Sequence, residues 1–140
     1  MEIKEQIKLR FKGVDFPSVQ LQSFKPYKES TQLAPKIDIV PTVFIPKDAK
    51  NTFKIIMRVA ITVQEYFSLH VTGIGLFELS SEDVDSDTRN SFVNANSTAI
   101  MFPYVRAFIS SLTSNVGNVT SPIILPTRFF KGDLEHSTEE

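Results

Sequence analysis

The chain of 140 residues contains no cysteine and no tryptophan. Without cysteine it can form neither a disulfide nor a thiolate metal site, so a reducing compartment such as the cytoplasm is expected. Lys and Arg number 15 against 16 Asp and Glu. Because this balance provides no basic surface to displace counterions from phosphates, we expect no nucleic-acid binding.

Long apolar runs are also missing. No run approaches the roughly 20 residues that a transmembrane helix needs. The start, MEIKEQIKLRFKG, alternates charged with apolar residues and lacks the apolar core of a secretory signal. These features predict a soluble, cytoplasmic protein without membrane insertion. We expect one domain over residues 1–140, with a polar, frayed tail from about residue 131.

Catalytic and metal-binding patterns are scarce. The two histidines are His70, in a predicted strand beside Ser68 and Thr72, and His136 in the tail. There is no nucleophile elbow, paired-His metal spacing or Walker loop, and GIG lacks the third glycine of a dinucleotide turn. We therefore expect no enzyme, no cofactor and no metal. A small α+β ligand-binding or enzyme domain, with a pocket between sheet and helix, remains the alternative.

The first half of the chain shows the alternation typical of β-strands. It predicts strands in IKLRFKGVDFPSVQLQSF, KIDIVPTVFIP, NTFKIIMRVAITVQ and YFSLHVTGIGLFEL. The first is expected in two pieces around Gly13 and Pro17, and Pro41 favours an edge position for the second. The residues VQEY join the last two as a hairpin. Strands followed by a helix indicate an α+β fold.

An acidic stretch, SSEDVDSDT, separates the strands from the predicted helix. Asp83, Asp85 and Asp87 resemble the opening of a calcium loop, but Thr88 and Asn94 stand where that loop needs Gly and Glu. Carboxylates before a helix stabilise its positive N-terminal end, so we predict a cap rather than a metal site.

The predicted helix begins near Thr88 and ends near Gly117, with a kink or break at Pro103. In its segment STAIMFPYVRAFISSL the apolar residues cover about 160° of the helix, whereas packing on one sheet face needs about 100°. The excess predicts a second partner, which is a subunit, a ligand or a client chain. Alternatively, residues 123–130 fold back over the helix. The 12 phenylalanines fit a core that also supplies a surface groove.

A series of motifs runs through the second half of the chain. An apolar residue precedes Phe-Pro-Tyr, a small residue and Arg follow, and then come an Ile-Ser pair and an apolar segment with Pro and Phe. The residues are Phe102, Pro103, Tyr104, Arg106, Ile109, Ser110, Leu125, Pro126 and Phe129, with Gly75, Leu76 and Phe77 upstream. This series resembles the signature region of the SecB family of protein-export chaperones.

The resemblance implies a four-stranded antiparallel sheet backed by a long helix, and assembly as a homotetramer that is a dimer of dimers. It also implies an ATP-independent holdase whose partners are unfolded or precursor polypeptides, bound in apolar and aromatic grooves. The client-binding candidates are Phe44, Tyr66, Phe67, Leu76, Phe77 and Tyr104, for each of which core packing is an equal alternative. The candidates for the subunit interface are Met101, Phe102, Val105, Arg106, Phe108, Ile109 and Leu112.

The chain departs from the family pattern in two places. Better-studied members dock the SecA motor through carboxylates on the outer sheet face, where this chain has Ser18, Gln22 and His70. Its tail, KGDLEHSTEE, is too short for the family's second helix. We therefore favour a SecB-like holdase over delivery to SecA, which stays open as a partner. A chaperone dedicated to one client such as an antitoxin fits equally well, and a structural protein with one fixed partner is a further alternative.

Overall fold

The computed structural model describes residues 7–27, 34–48, 51–81, 84–127 and 134–136. The strands are β1 (Leu9–Ser23), β2 (Lys36–Phe44), β3 (Thr52–Val63), β4 (Phe67–Leu79) and β5 (Glu135–His136). The helical elements are α1 (Ser86–Ser91), a π-helical turn (Phe92–Ser97), α2 (Thr98–Ser114) and a 3₁₀ turn (Gly117–Val119). The predicted α+β class, with one long helix in the C-terminal half, is confirmed.

The strands form one sheet in the order β1-β4-β3-β2-β5. Strands β2, β3 and β4 follow one another as antiparallel neighbours, and β1 pairs antiparallel with β4. The four expected strands are present, and β5 adds a fifth that runs parallel to β2 at Thr42 and Val43. Within the tail that was expected to fray, the described residues 134–136 dock on the fold, and Leu134 beside β5 is only 4% exposed.

Strand β1 is continuous, whereas the sequence predicted two pieces. Its pairing with β4 shifts register between Phe11 and Gly13 and again between Asp15 and Ser18. Gly13 has φ 119°, a conformation that side chains with a Cβ rarely adopt. The glycine and proline signals thus mark two irregularities that bend one strand.

The core lies between the helices and one face of the sheet. That face carries the odd-numbered residues of β3 and β4, among them Met57, Ile61 and Leu69, each 0% exposed. Strand β4 has a glycine at two of these positions, and a Cβ at Gly75 would lie 2.7 Å from Met101 Sδ. The missing side chain lets α2 pack closely on the sheet, since Met101 is also 0% exposed.

The helical region begins slightly earlier than the sequence predicted, because Asp85 caps it. The Thr88 N–H donates to Asp85 Oδ1 at 2.7 Å, and this hydrogen bond lowers the pKa of the Asp85 carboxyl. Helix α2 continues through Pro103 without a break, and the change of helical pitch lies earlier, at Phe92–Ser97. Of the residues discussed above, Asp83 and Phe129 lie outside the described part of the chain.

Residues 120–125, which we call the strap, run back along α2. The Ile123 N–H donates to Thr113 Oγ1 at 2.8 Å, and Arg106 Nε donates to the Leu125 carbonyl at 3.0 Å. Ile123 and Leu125 are 9% and 1% exposed. Residues 123–125 thus fold back along the helix, as the alternative interpretation predicted, but they bond to Arg106 and Thr113. Tyr104, which belongs to the apolar excess, is 51% exposed, so the described part of the strap does not cover the whole excess. Residues 128–130 lie outside the described ranges.

Candidate functional site

A pocket without charged side chains, with a cavity volume of 220 Å³, opens at the end of the sheet where β3 turns into β4. Its lining combines the start of β2, the end of β3, the start of β4, the segment after β1 and the strap. The lining residues are Tyr27, Pro35, Ile37, Val63, Phe67, Thr120, Ser121, Pro122, Ile123 and Ile124. None of them is Asp, Glu, Lys, Arg or His, so an apolar group can enter without desolvating a charge.

Backbone hydrogen bonds hold the separate pieces of the pocket together. The N–H groups of Phe24 and Lys25 donate to the Tyr66 carbonyl at 2.7 and 3.3 Å. The Tyr27 N–H donates to the Asn118 carbonyl at 2.7 Å, which joins the segment after β1 to the turn after α2. Lys25 Nζ lies 5.3 Å from the centre of the Tyr66 ring, a cation–π contact that shields one edge of the turn.

The pocket continues into an exposed apolar rim. Ile124 in the strap is 74% exposed, and Phe24 after β1 is 63% exposed. Ile124 points outward because its neighbours Ile123 and Leu125 are buried against α2. These two side chains are the most exposed large apolar groups among the described residues, and both lie at this end of the molecule. The arrangement offers an open apolar surface around a deeper cavity.

The six aromatic and aliphatic candidates for client binding do not converge on one place. Phe67 is 1% exposed and lines the pocket, and Tyr66 lies beside it in the β3–β4 turn. Phe44 and Leu76 flank Lys54 on the sheet face opposite the helix.

The remaining two lie with Phe11 at the far end of the sheet. Phe77 is 2% exposed and stacks on Phe53 with 5.2 Å between ring centres. Tyr104 on α2 is 51% exposed and lies 5.0 Å from the Phe11 ring. Of these two candidates, only Tyr104 is exposed to solvent.

The seven candidates for a subunit interface also differ in their surroundings, and most of them are covered by the chain itself. Four of them face the chain's own sheet and are 0–4% exposed, namely Met101, Phe102, Val105 and Ile109. Arg106, Phe108 and Leu112 are half-buried. Arg106 reaches the strap, and the Phe108 ring stacks on Phe16 of β1 with 4.1 Å between centres. The large apolar side chains still exposed on α2 are Tyr104 and Ile100, at 51% and 36%.

The outer sheet face carries the residues considered for catalysis and for SecA docking. His70 is exposed there and lies in a shallow depression with Asp38, Arg58 and Thr72. Ser18 and Gln22 of β1 lie on the same face, paired with Thr72 and Ser68 of β4. Among the described residues there is no group of His, Asp and Glu that could hold a metal ion. No described helix has the length and apolarity to cross a bilayer.

Sequence reasoning missed most of the pocket. Tyr27 and Pro35 flank a region without a periodic pattern, so no signal marks them as neighbours of β4. The strap gave a usable signal, because SPIILP is apolar and extended by its prolines. The pocket could not be predicted because hydrogen bonds between distant segments assemble it.

Comparisons with known proteins agree with this architecture. An uncharacterized protein of Methanocaldococcus jannaschii is 28% identical over 131 residues, which cover 90% of this chain and 82% of that protein. The structure of a Mycobacterium tuberculosis SecB-like chaperone, Rv1957, in complex with a peptide from the HigA1 antitoxin superposes with a TM-score of 0.71. It covers 84% of this chain and 89% of that one, at 14% identity, which shows a shared fold.

The family model for the preprotein translocase subunit SecB matches residues 11–127 of the chain. That range includes all four long strands except the first residues of β1, both helices and the strap. The chain belongs to the SecB family.

Proposed function

We propose that this protein is an ATP-independent chaperone that holds non-native polypeptides by their apolar segments. The observation that carries the proposal is the uncharged pocket between β2, the β3–β4 turn and the strap, with Ile124 exposed in its lining and Phe24 exposed after β1, where its backbone bonds to the β3–β4 turn. A folded, soluble partner would present few apolar side chains to such a surface, whereas an unfolded chain presents many.

The affinity of such a site comes from apolar area removed from water, at roughly 25 cal/mol per Å². A cavity of 220 Å³ accepts large aliphatic or aromatic side chains without distinguishing closely between them. We therefore place Phe67 in the wall of the client site, with Tyr66 beside it, and add Ile37 and Ile124. Phe44 and Leu76 are proposed as secondary contacts for a long client that wraps around the molecule, and Tyr104 is assigned to the subunit interface instead.

Assembly into a homotetramer is a second part of the proposal. Tyr104 and Ile100 leave an apolar strip on α2, and Tyr104 lies beside Phe11 of the edge strand β1. Burial of this strip by another copy would remove the largest apolar surface on α2 that the strap leaves open. Light scattering should give a mass of four chains, and Tyr104→Glu should reduce it.

Two observations favour a dedicated client over a general one. The M. tuberculosis relative with the same fold is bound to an antitoxin peptide. In addition, the outer face here carries Ser18, Gln22 and His70, which gives SecA no carboxylates at these positions. We therefore propose an antitoxin-like client as the second candidate, and we do not extend the proposal to SecA or to catalysis.

The test is suppression of aggregation. Insulin reduced with dithiothreitol should stay soluble when an equal or larger amount of the protein is present, without ATP. Ile124→Thr should weaken binding about tenfold, because it removes part of an apolar side chain that a client buries. Val40→Thr is the matched control, since Val40 is also exposed (51%) but lies on the outer face.

The contrast between these two variants decides the location of the site. Equal effects of Ile124→Thr and Val40→Thr would place the client elsewhere on the molecule. Failure of the wild-type protein to slow insulin aggregation at any ratio would remove the chaperone proposal itself.

A further inference from the structure

Charge at the entrance of the pocket is confined to the sheet side. Residues 107–127, which include the last turns of α2 and the strap, contain no acidic or basic residue. On the sheet side, the charged residues beside the lining are Lys25, Lys36 and Glu65 among those that the structure describes, and all three are exposed. None of the three forms an ion pair within the described ranges. Two cations therefore stand against one anion at a site whose lining is uncharged.

Lys36 lies between two residues of the pocket lining, because its chain neighbours Pro35 and Ile37 both line the cavity. Its side chain is exposed. The next acidic residue along β2 is Asp38, which lies farther from the pocket in a depression that Arg58 also lines. Since Arg58 offsets the charge of Asp38, the ammonium group of Lys36 can attract a carboxylate at the entrance.

Lys25 lies beside β4, on the other side of β3 from Lys36. Its N–H donates to the Tyr66 carbonyl at 3.3 Å, and its Nζ lies 5.3 Å from the centre of the Tyr66 ring. Glu65 precedes Tyr66 in the same turn and offsets part of this charge. Strands β2 and β4 are two strand spacings apart, about 10 Å, which is the length of about three extended residues. A segment whose apolar side chain enters the pocket therefore brings its neighbours, up to about three positions away, within reach of Lys25 or Lys36.

We propose that the pocket prefers client segments that carry acidic residues within about three positions of the apolar side chain that enters it. This inference rests on the proposed function, because the occupant is the same non-native polypeptide. The apolar side chain supplies most of the affinity, and the carboxylates add attraction to Lys36 and Lys25. The formal charge of the whole chain is −1, so the preference arises from the local arrangement at the pocket and not from the net charge.

The first experiment compares three fluorescein-labelled peptides with the same apolar centre. Each has a central Leu-Phe-Leu with two residues on either side that are all aspartate, all asparagine or all lysine, and serine completes both ends. At an ionic strength of about 0.01 M, where the Debye length is about 30 Å, fluorescence anisotropy should show about fivefold tighter binding of the aspartate peptide than of the asparagine peptide, and the lysine peptide should bind most weakly. At about 1 M, where the Debye length falls to about 3 Å, the aspartate and asparagine peptides should bind alike.

The second experiment locates the preference on the molecule. The double variant Lys25→Gln/Lys36→Gln should bind the aspartate and asparagine peptides with equal affinity at low ionic strength. The matched control is Lys8→Gln/Lys47→Gln, which removes the same charge from two exposed lysines at the opposite end of the sheet, before β1 and after β2. This control should keep the fivefold preference for the aspartate peptide.

The possible results distinguish this inference from the proposed function. If the aspartate and asparagine peptides bind equally at low ionic strength, or the lysine peptide binds most tightly, the preference is wrong, while the chaperone proposal stands on binding of the asparagine peptide and suppression of insulin aggregation. A preference that the control variant loses as fully as Lys25→Gln/Lys36→Gln would come from the charge of the whole molecule and would also overturn the inference. If no peptide binds and insulin aggregates unhindered, the proposed function fails and the inference fails with it.

Discussion

The close approach of α2 to the sheet at Gly75 allows a quantitative prediction. A Cβ at this position would lie 2.7 Å from Met101 Sδ, 3.2 Å from Met101 Cγ and 3.1 Å from Phe77 Cε2. Carbon contacts are optimal at about 3.5–4.0 Å, so one added methyl group must push Met101 or the helix away. Met101 is 0% exposed and cannot turn into solvent.

The expected cost follows from these contacts. Overpacking of this kind destabilises by about 1–3 kcal/mol, while Gly→Ala gains about 0.4–1 kcal/mol by restricting the unfolded chain. We therefore expect Gly75→Ala to lower the free energy of unfolding by about 1–2 kcal/mol, measured by urea denaturation at fixed protein concentration. Gly73→Ala is the matched control, since its nearest contact would be Phe16 Cε1 at 3.2 Å, and we expect a smaller loss.

A double-mutant cycle shows whether Met101 is the cause. Met101→Ala alone should cost about 2–5 kcal/mol because it leaves a cavity in the core. In the double variant the new methyl group occupies part of that cavity, so the loss should be at least about 1 kcal/mol smaller than the sum of the single losses. Additive losses, or a Gly75→Ala protein as stable as wild type, would refute this account of how helix and sheet meet.

Two further predictions concern the strap and the helix start. Thr113→Val should lower the free energy of unfolding by about 1–3 kcal/mol, since it leaves the buried Ile123 N–H without its acceptor. Thr113→Ser keeps the hydroxyl and should retain most of the stability. Equal losses of unfolding free energy in urea titrations of the two variants would argue against this hydrogen bond. Asp85→Ala should destabilise the protein at pH 7 because Thr88 loses its cap, and Asp85→Asn should destabilise it less. Since the pKa of the Asp85 carboxyl is lowered in the folded state, its ionised form adds stability above about pH 4 and this stability is lost as the pH falls through the folded pKa. The stability difference between wild type and Asp85→Asn should accordingly shrink on acidification, and a difference independent of pH would contradict the assignment.

Local patterns predicted the elements of this fold well. Alternation of apolar residues in β3 and β4 identified both strands and their buried face, because each position has a partner directly across the ladder. The acidic residues before the helix predicted a cap, and Asp85 forms it. These features depend on residues that are close together in the sequence, so the sequence alone is enough to predict them.

What depends on distant segments was predicted less well. The apolar excess on the helix was correctly noticed, but the strap covers the side with Arg106 and Thr113, whereas Tyr104 remains exposed on the other side. The aromatic candidates were chosen by residue type, and the sheet separated Phe77 and Leu76 onto opposite faces although they adjoin in sequence. β5 was missed because two residues have no periodicity to detect.

The strap connects the stability of the fold with the candidate site. Ile123 and Leu125 belong to the core, while Ile124 between them is exposed at the rim of the pocket. Loosening the strap by Thr113→Val should therefore weaken client binding as well as stability, since Ile124 loses its fixed position. Ile124→Thr should weaken binding without a change in stability, because a side chain that is 74% exposed contributes little to the core. If Thr113→Val lowered stability and left client affinity intact, the strap would be a structural element only, and the client would have to bind elsewhere.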